Sequence, residues 1–287
     1  MSRLFWEQRV KQSWQHMASN RVYSKRQRGS IIEMLPLWVL ALPILVLIGA
    51  PLLAIVLRVD LSMLVVNLTH HVTLQAISLS LLTSLISTGL TFCFGLPLAF
   101  LLARSNFRGR MIVDTLIDLP MILPPAVAGI ALLIAFGRRG IIGAHLAELG
   151  ITIAFTQVAV VMAQTFVAAP YFVKAAAAGL RGVERELEHA AELDGANRPQ
   201  VFFYITLPLC WPVVLSGLVM SWARALGEFG ATIIFAGNLV GRTQTMPLAI
   251  YLGFERDLQL ALVLALVFLG FSFGVLLLVK GLLGQRV

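Results

Sequence analysis

Six long apolar stretches are set apart by polar segments along this 287-residue chain, at about 35–57, 74–103, 111–136, 153–173, 207–235 and 258–280. Each can cross roughly 30 Å of hydrocarbon as a helix rising about 1.5 Å per residue. Backbone amides in lipid have no water to bond, so these stretches are predicted to be helices. Two of them carry residues that disturb a helix. The third contains LPMILPP, in which Pro120, Pro124 and Pro125 remove backbone donors and predict a kink or an interruption. The fifth contains RALGEFGAT, Arg224 to Thr232, in which Gly227 and Gly230 flank Glu228 and permit a bend.

Composition agrees with the pattern. A mean hydropathy of +0.88 with 13% charged residues excludes an ordinary water-soluble domain. The net charge of +8 is clustered, and no basic-aromatic module for nucleic acid is present. With the N-terminus inside, the inner segments hold 16 of the 22 Lys and Arg residues, which predicts N-in and C-in. Residues 1–34 are basic, and Trp6, Val10, Trp14 and Met17 fall at helical spacing. This segment reads as a cytoplasmic amphipathic helix on an anionic membrane surface, or as a basic tail. The remaining residues, 35–287, read as one all-α polytopic membrane domain. Cys93 and Cys210 lie in separate apolar stretches and make neither a disulfide framework nor a metal cluster. His70 and His71 read as a solvated pair, because adjacent histidines without further ligands are poor metal sites.

Charges inside the apolar stretches are the first functional candidates. Arg224 and Glu228 are four apart and share a helix face. They either neutralise each other or line a water-filled path, since a charge at mid-bilayer costs about 2.5–3.5 kcal/mol or more. Asp118 is an alternative partner for Arg224, and Asp114 reads as interfacial. Asp118, Pro124, Pro125, Arg224, Gly227, Glu228, Gly230 and Thr232 are therefore the pathway and gate candidates. A helix broken near Glu228 would offer free N–H groups to an anion.

The second candidate is the polar segment 174–206. Glu184, Glu186, Glu188 and Glu192 predict a short helix ended by Gly195 in the left-handed conformation. Asn197 can cap a second short helix with Pro199 in its first turn. The small residues Ala190, Ala191, Gly195 and Ala196 let another protein approach the backbone closely. No Lys follows a Gly or precedes Ser or Thr, so the chain carries no Walker A loop. No HExxH or nucleophile elbow is present either, and no catalytic residue is assigned.

The run His189 to Pro208 resembles the cytoplasmic coupling loop of ABC importer permeases. That pattern reads Glu-Ala-Ala, three residues, Gly, nine residues, Ile, one residue, Leu-Pro. Ala190, Ala191, Gly195, Ile205, Leu207 and Pro208 stand in register, with His189 in place of the Glu and Glu188 one position earlier. Phe136 to Gly143, Phe155-Thr156, Ala223 to Thr232 and Ala236 to Tyr251 resemble the molybdate/tungstate/sulfate branch, best the molybdate permeases. The likeness covers about 70–283. It implies a type I importer permease fold and a multi-pass protein of the bacterial inner membrane. It also implies a homodimer, an ATPase subunit holding ATP and Mg, and an external binding protein that delivers a tetrahedral oxyanion. The sulfate branch and an ion-gradient-driven carrier are the alternatives, and a carrier has no use for the loop.

Overall fold

The structure, a computed structural model, describes residues 36–60, 64, 66 and 68–284. The expected amphipathic helix within 1–34 lies outside the described residues. The chain divides into two units, residues 1–57 and 58–287. The first contributes one apolar helix, α1 (Pro36–Arg58). In the second, α2 (His71–Arg104), α3 (Arg110–Ile122), α4 (Pro125–Phe136), α5 (Gly143–Glu148) and α6 (Gln157–Arg181) follow in order. Then come α7 (Arg185–Leu193), α8 (Arg198–Leu226), α9 (Gly230–Phe235), α10 (Met246–Arg256) and α11 (Leu258–Gly284). Among the described residues, five helices are long and apolar enough to span a membrane, and the bent pair α3–α4 brings the number to six if it is counted as one span.

The polarity of α2 is inverted relative to a water-soluble protein. Ser80, Thr83, Ser84, Ser87 and Thr91 are buried, while Leu82, Leu85, Leu90 and Phe94 are exposed. Lipid solvates the apolar face, and short side chains on the inner face let α2 and α6 approach closely. Several of the buried hydroxyls find partners within the bundle, while Thr91 Oγ1 has none among the described residues. Thr83 Oγ1 donates to the Leu79 carbonyl at 2.8 Å, and Thr165 Oγ1 of α6 donates to Ser87 Oγ at 3.0 Å. The Met246 N–H donates to Ser80 Oγ at 2.6 Å and ties α10 to α2.

The third apolar stretch is broken where Leu123 and Pro124 adopt extended backbone, and α3 and α4 are bent by 118°. Pro120 stays inside α3, so the pair Pro124-Pro125 makes the break, not Pro120. Both halves of the pair nonetheless touch α6, at different heights. Asp114 and Asp118 of α3 meet Lys174, and Ala128 and Leu132 of α4 pack on Ala159, Val160 and Ala163. The fifth stretch is likewise not one helix over 207–235. The helix starts at Arg198, stops at Leu226 and restarts at Gly230.

Of the two partners the sequence left open for Arg224, Asp118 is not the one used, and Asp114 shares its cation. Lys174 Nζ bridges both carboxylates, at 2.7 Å to Asp114 and 2.8 Å to Asp118. The two aspartates are one helical turn apart on the face that meets α6, so one ammonium reaches both. Lys174→Met should leave two like charges facing each other without a cation. We expect roughly 1–3 kcal/mol of destabilisation, between the exposed and buried limits for ion pairs. The triple variant Lys174→Met/Asp114→Asn/Asp118→Asn should recover most of the loss. Thermal denaturation of the detergent-solubilised proteins checks this, and equal melting of the single and triple variants would contradict it.

Candidate functional site

Two places gather the candidate residues: the polar loop at the α6–α8 end and the break between α8 and α9. In the loop, the first part of segment 174–206 continues α6 to Arg181 and the last part already belongs to α8. The loop proper is α7 with its flanks. Ile205, Leu207 and Pro208 therefore sit in the returning helix, not in the loop.

Gly195 has φ of +92°, the left-handed backbone that ends α7, and its N–H bonds the Glu192 carbonyl. A Cβ built there meets nothing within 4 Å, so the outer side of the turn is open. Asn197 and Gln200 form a capping box at the start of α8, Asn197 Oδ1 accepting the Gln200 N–H at 3.0 Å and Gln200 Oε1 the Asn197 N–H at 2.8 Å. Ala190 and Gly195 are exposed, Ala191 and Ala196 half-buried. Leu193 is 88% exposed and Leu187 is exposed beside it. Gly195→Leu should cost about 1–2 kcal/mol in backbone strain and place bulk on the open face. If the loop is the docking surface that its resemblance implies, co-purification of a partner should be lost with membrane yield unchanged; purification from membranes reads both.

Glu188 carries the loop's geometry. Its Oε1 accepts from Arg104 Nη2 at the end of α2 and from Thr206 Oγ1 in α8, both at 2.7 Å. Arg104 also donates to the Val183 carbonyl at 3.0 Å. One carboxylate thus joins α2, α7 and α8. Thr206 closes a π-helical turn, Phe202–Thr206, inside α8; such turns often sit at functional positions. His189 points outward, 3.6 Å from Glu192. Arg104 and Thr206 were not singled out in the sequence. Their only signal was a buried-side Arg and a Thr flanking the loop, and neither spacing is local.

At the second place, Arg224 and Glu228 are the ion pair, Nη1 to Oε2 at 2.7 Å. Glu228 is 1% exposed, and its other oxygen accepts the Ala231 N–H at 2.8 Å. Glu228 therefore caps α9 with its own side chain. The expectation of free N–H groups for an anion is corrected to that extent: the carboxylate already takes one of them. Gly227 ends α8, and Gly230 begins α9. A Cβ at Gly230 would lie 2.6 Å from Pro125 Cβ, so the two breaks pack on each other. This brings Pro125 to the Arg224–Glu228 region, while Asp118 stays with Lys174. Thr232 is buried with no hydrogen-bond partner for Oγ1. Beside Gly227, Phe229, Tyr251 and Phe268 line a cleft of about 460 Å³.

The family model for the inner membrane component of binding-protein-dependent transport systems matches residues 95–286. The molybdenum transport system permease protein ModB of Mycobacterium tuberculosis is 45% identical over 236 residues, covering 81% of this chain and 89% of that protein. ModB of Escherichia coli K12 is 45% identical over 178 residues, covering 62% and 78%. A probable molybdenum ABC transporter permease protein of Haloferax volcanii is 35% identical over 271 residues, covering 92% and 97%. Among solved structures, a bacterial ABC transporter that imports alginate aligns with a TM-score of 0.69 at 17% identity, covering 93% of this chain and 99% of that one.

Proposed function

The chain belongs to the family of binding-protein-dependent transport system inner membrane components, and on that footing we propose that it is the permease subunit of an ATP-driven importer of molybdate or tungstate. The observation that carries the reading is the coupling loop: a short helix held by one half-buried carboxylate to α2 and α8, with the small residues Ala190 and Gly195 turned outward, where another protein can approach the backbone closely. The oxyanion follows from the names of relatives at 35–45% identity.

ATP and Mg sit on the ATPase, and this chain contributes no catalytic group. ATP binding draws two coupling loops together and opens the permease pair outward; hydrolysis reverses it. Energy transfer requires that the ATPase bind one permease state more tightly than the other. Two copies of this chain form the pathway, and an external binding protein supplies the oxyanion. Arg224, Glu228, Gly227, Gly230, Pro124 and Pro125 act where the two interrupted spans meet, a place where small backbone rotations change packing without unwinding a whole helix. Molybdate, tungstate and sulfate are tetrahedral dianions, so the choice among them rests mainly with the binding protein.

The test is oxyanion-stimulated ATPase activity of the reconstituted complex. Stimulation by molybdate and tungstate, and not by sulfate or phosphate, is the expected result. Stimulation by sulfate alone would move the assignment to the sister branch.

A further inference from the structure

A groove of about 930 Å³ runs along the last third of α2 to the coupling loop. Its deep end is apolar, with Phe92, Cys93, Leu96 and Phe100, and its mouth carries Arg185 of α7 and Arg198 of α8 together with Glu192, which lies beside His189. Phe92 to Arg104 is twelve residues of helix, roughly 18 Å. One leaflet's share of the hydrocarbon core is about 15 Å. The apolar part of the groove is therefore about as long as one leaflet is thick, with its cations at one end. Those cations are uncommitted. Arg104 is taken by Glu188, and His189 faces Glu192. The guanidinium groups of Arg185 and Arg198 have no ion-pair or hydrogen-bond partner among the described residues. Arg104 Nε, in the same wall, is buried without an acceptor.

We propose that this groove holds one anionic phospholipid of the inner leaflet, with its phosphate at the Arg185 and Arg198 end and an acyl chain along Phe92, Cys93, Leu96 and Phe100. Charge complementarity selects the occupant. A phosphodiester accepts from guanidinium groups in bidentate fashion, and each juxtamembrane cation adds to the affinity for anionic lipid. The chain's own segment 1–34 carries seven Lys and Arg against two Glu, so it mismatches the mouth. A soluble ATPase reaches α7 from water and does not fill an apolar groove about as long as a leaflet is thick. The lipid would brace α7 against α2 from the membrane side, opposite the Gly195 face. The inference takes from the proposed function only that the loop faces the cytoplasm.

The experiment is native mass spectrometry of the full permease–ATPase complex titrated with phosphatidylglycerol and with phosphatidylcholine. One phosphatidylglycerol retained per permease chain, favoured about tenfold or more over phosphatidylcholine, is expected. Arg185→Gln/Arg198→Gln should lose that preference, whereas Arg108→Gln/Arg110→Gln, whose cations do not line the groove, should keep it. Cys93→Trp, which fills the apolar end, should weaken both lipids. ATPase co-purification with each variant verifies assembly and separates this question from the transport reading. Equal retention of the two lipids would overturn the proposal, as would full retention by the Arg185→Gln/Arg198→Gln variant. Cross-linking of Cys93 to residues 1–34 or to a second copy would also overturn it, by making the groove a protein interface.

Discussion

Glu188→Ala should uncouple the transporter, lowering ATP-driven uptake about tenfold or more while leaving the protein in the membrane. The Glu188 carboxylate is the single acceptor shared by Arg104 and Thr206, and the Arg104 side chain is only 11% exposed. Removing it leaves a nearly buried guanidinium with no counter-charge and only the Val183 carbonyl, which costs roughly 2–4 kcal/mol at the loop. That cost falls on the position of α7 relative to α2 and α8, because the apolar contacts of Phe172, Ala176 and Leu180 in the helix core are untouched. Movement of α7 then no longer drags the membrane helices. Glu188→Gln keeps an acceptor for Thr206 and loses the charge, so it should fall between wild type and Ala. Uptake per ATP hydrolysed is the quantity to measure. A wild-type ratio in Glu188→Ala would remove this carboxylate from the coupling path.

The other large effect concerns the break in the fifth span. Arg224→Met should be the most damaging single change there, because it leaves Glu228, 1% exposed, as a buried carboxylate held only by the Ala231 N–H. Losing one partner of a buried pair costs about 3–5 kcal/mol. Glu228→Ala should be milder: Arg224 is 29% exposed and reaches solvent or headgroups, but the cap of α9 is lost at about 1 kcal/mol. Arg224→Met/Glu228→Gln removes both charges and keeps a carbonyl for Ala231. It should be more stable than Arg224→Met alone, a non-additivity of more than about 1 kcal/mol. Melting temperatures of the purified variants decide the matter. Additive losses would mean that the two side chains do not act as a pair.

Much of this fold is legible in the sequence because lipid imposes a coarse rule. About twenty apolar residues in a row have few structures open to them. The breaks were legible too, since Pro124-Pro125 and the Gly227–Gly230 run are strong local signals. Gly195 and the Asn197–Gln200 capping box are set by backbone chemistry within a few residues. Pairings at long range were not legible. Lys174 lies 56 and 60 residues from its two aspartates, and Arg104 lies 84 from Glu188. Only the register between helices brings them together. The buried face of α2 was equally hidden. When both sides of a helix face hydrocarbon or protein, apolar periodicity no longer tells inside from outside, and Ser80, Ser84 and Ser87 mark the inner side by their size. The Arg224 partner fell between these cases: the spacing of four pointed to Glu228 but could not exclude Asp118.

If this chain turns ATP hydrolysis by a docked subunit into inward movement of an oxyanion, labelled molybdate should accumulate in proteoliposomes containing the permease, its ATPase and its binding protein. That accumulation should require ATP and all three components, and should be abolished when the ATPase is omitted or when Gly195→Leu blocks its docking. Accumulation driven by a proton gradient, with no ATPase present, would contradict this reading.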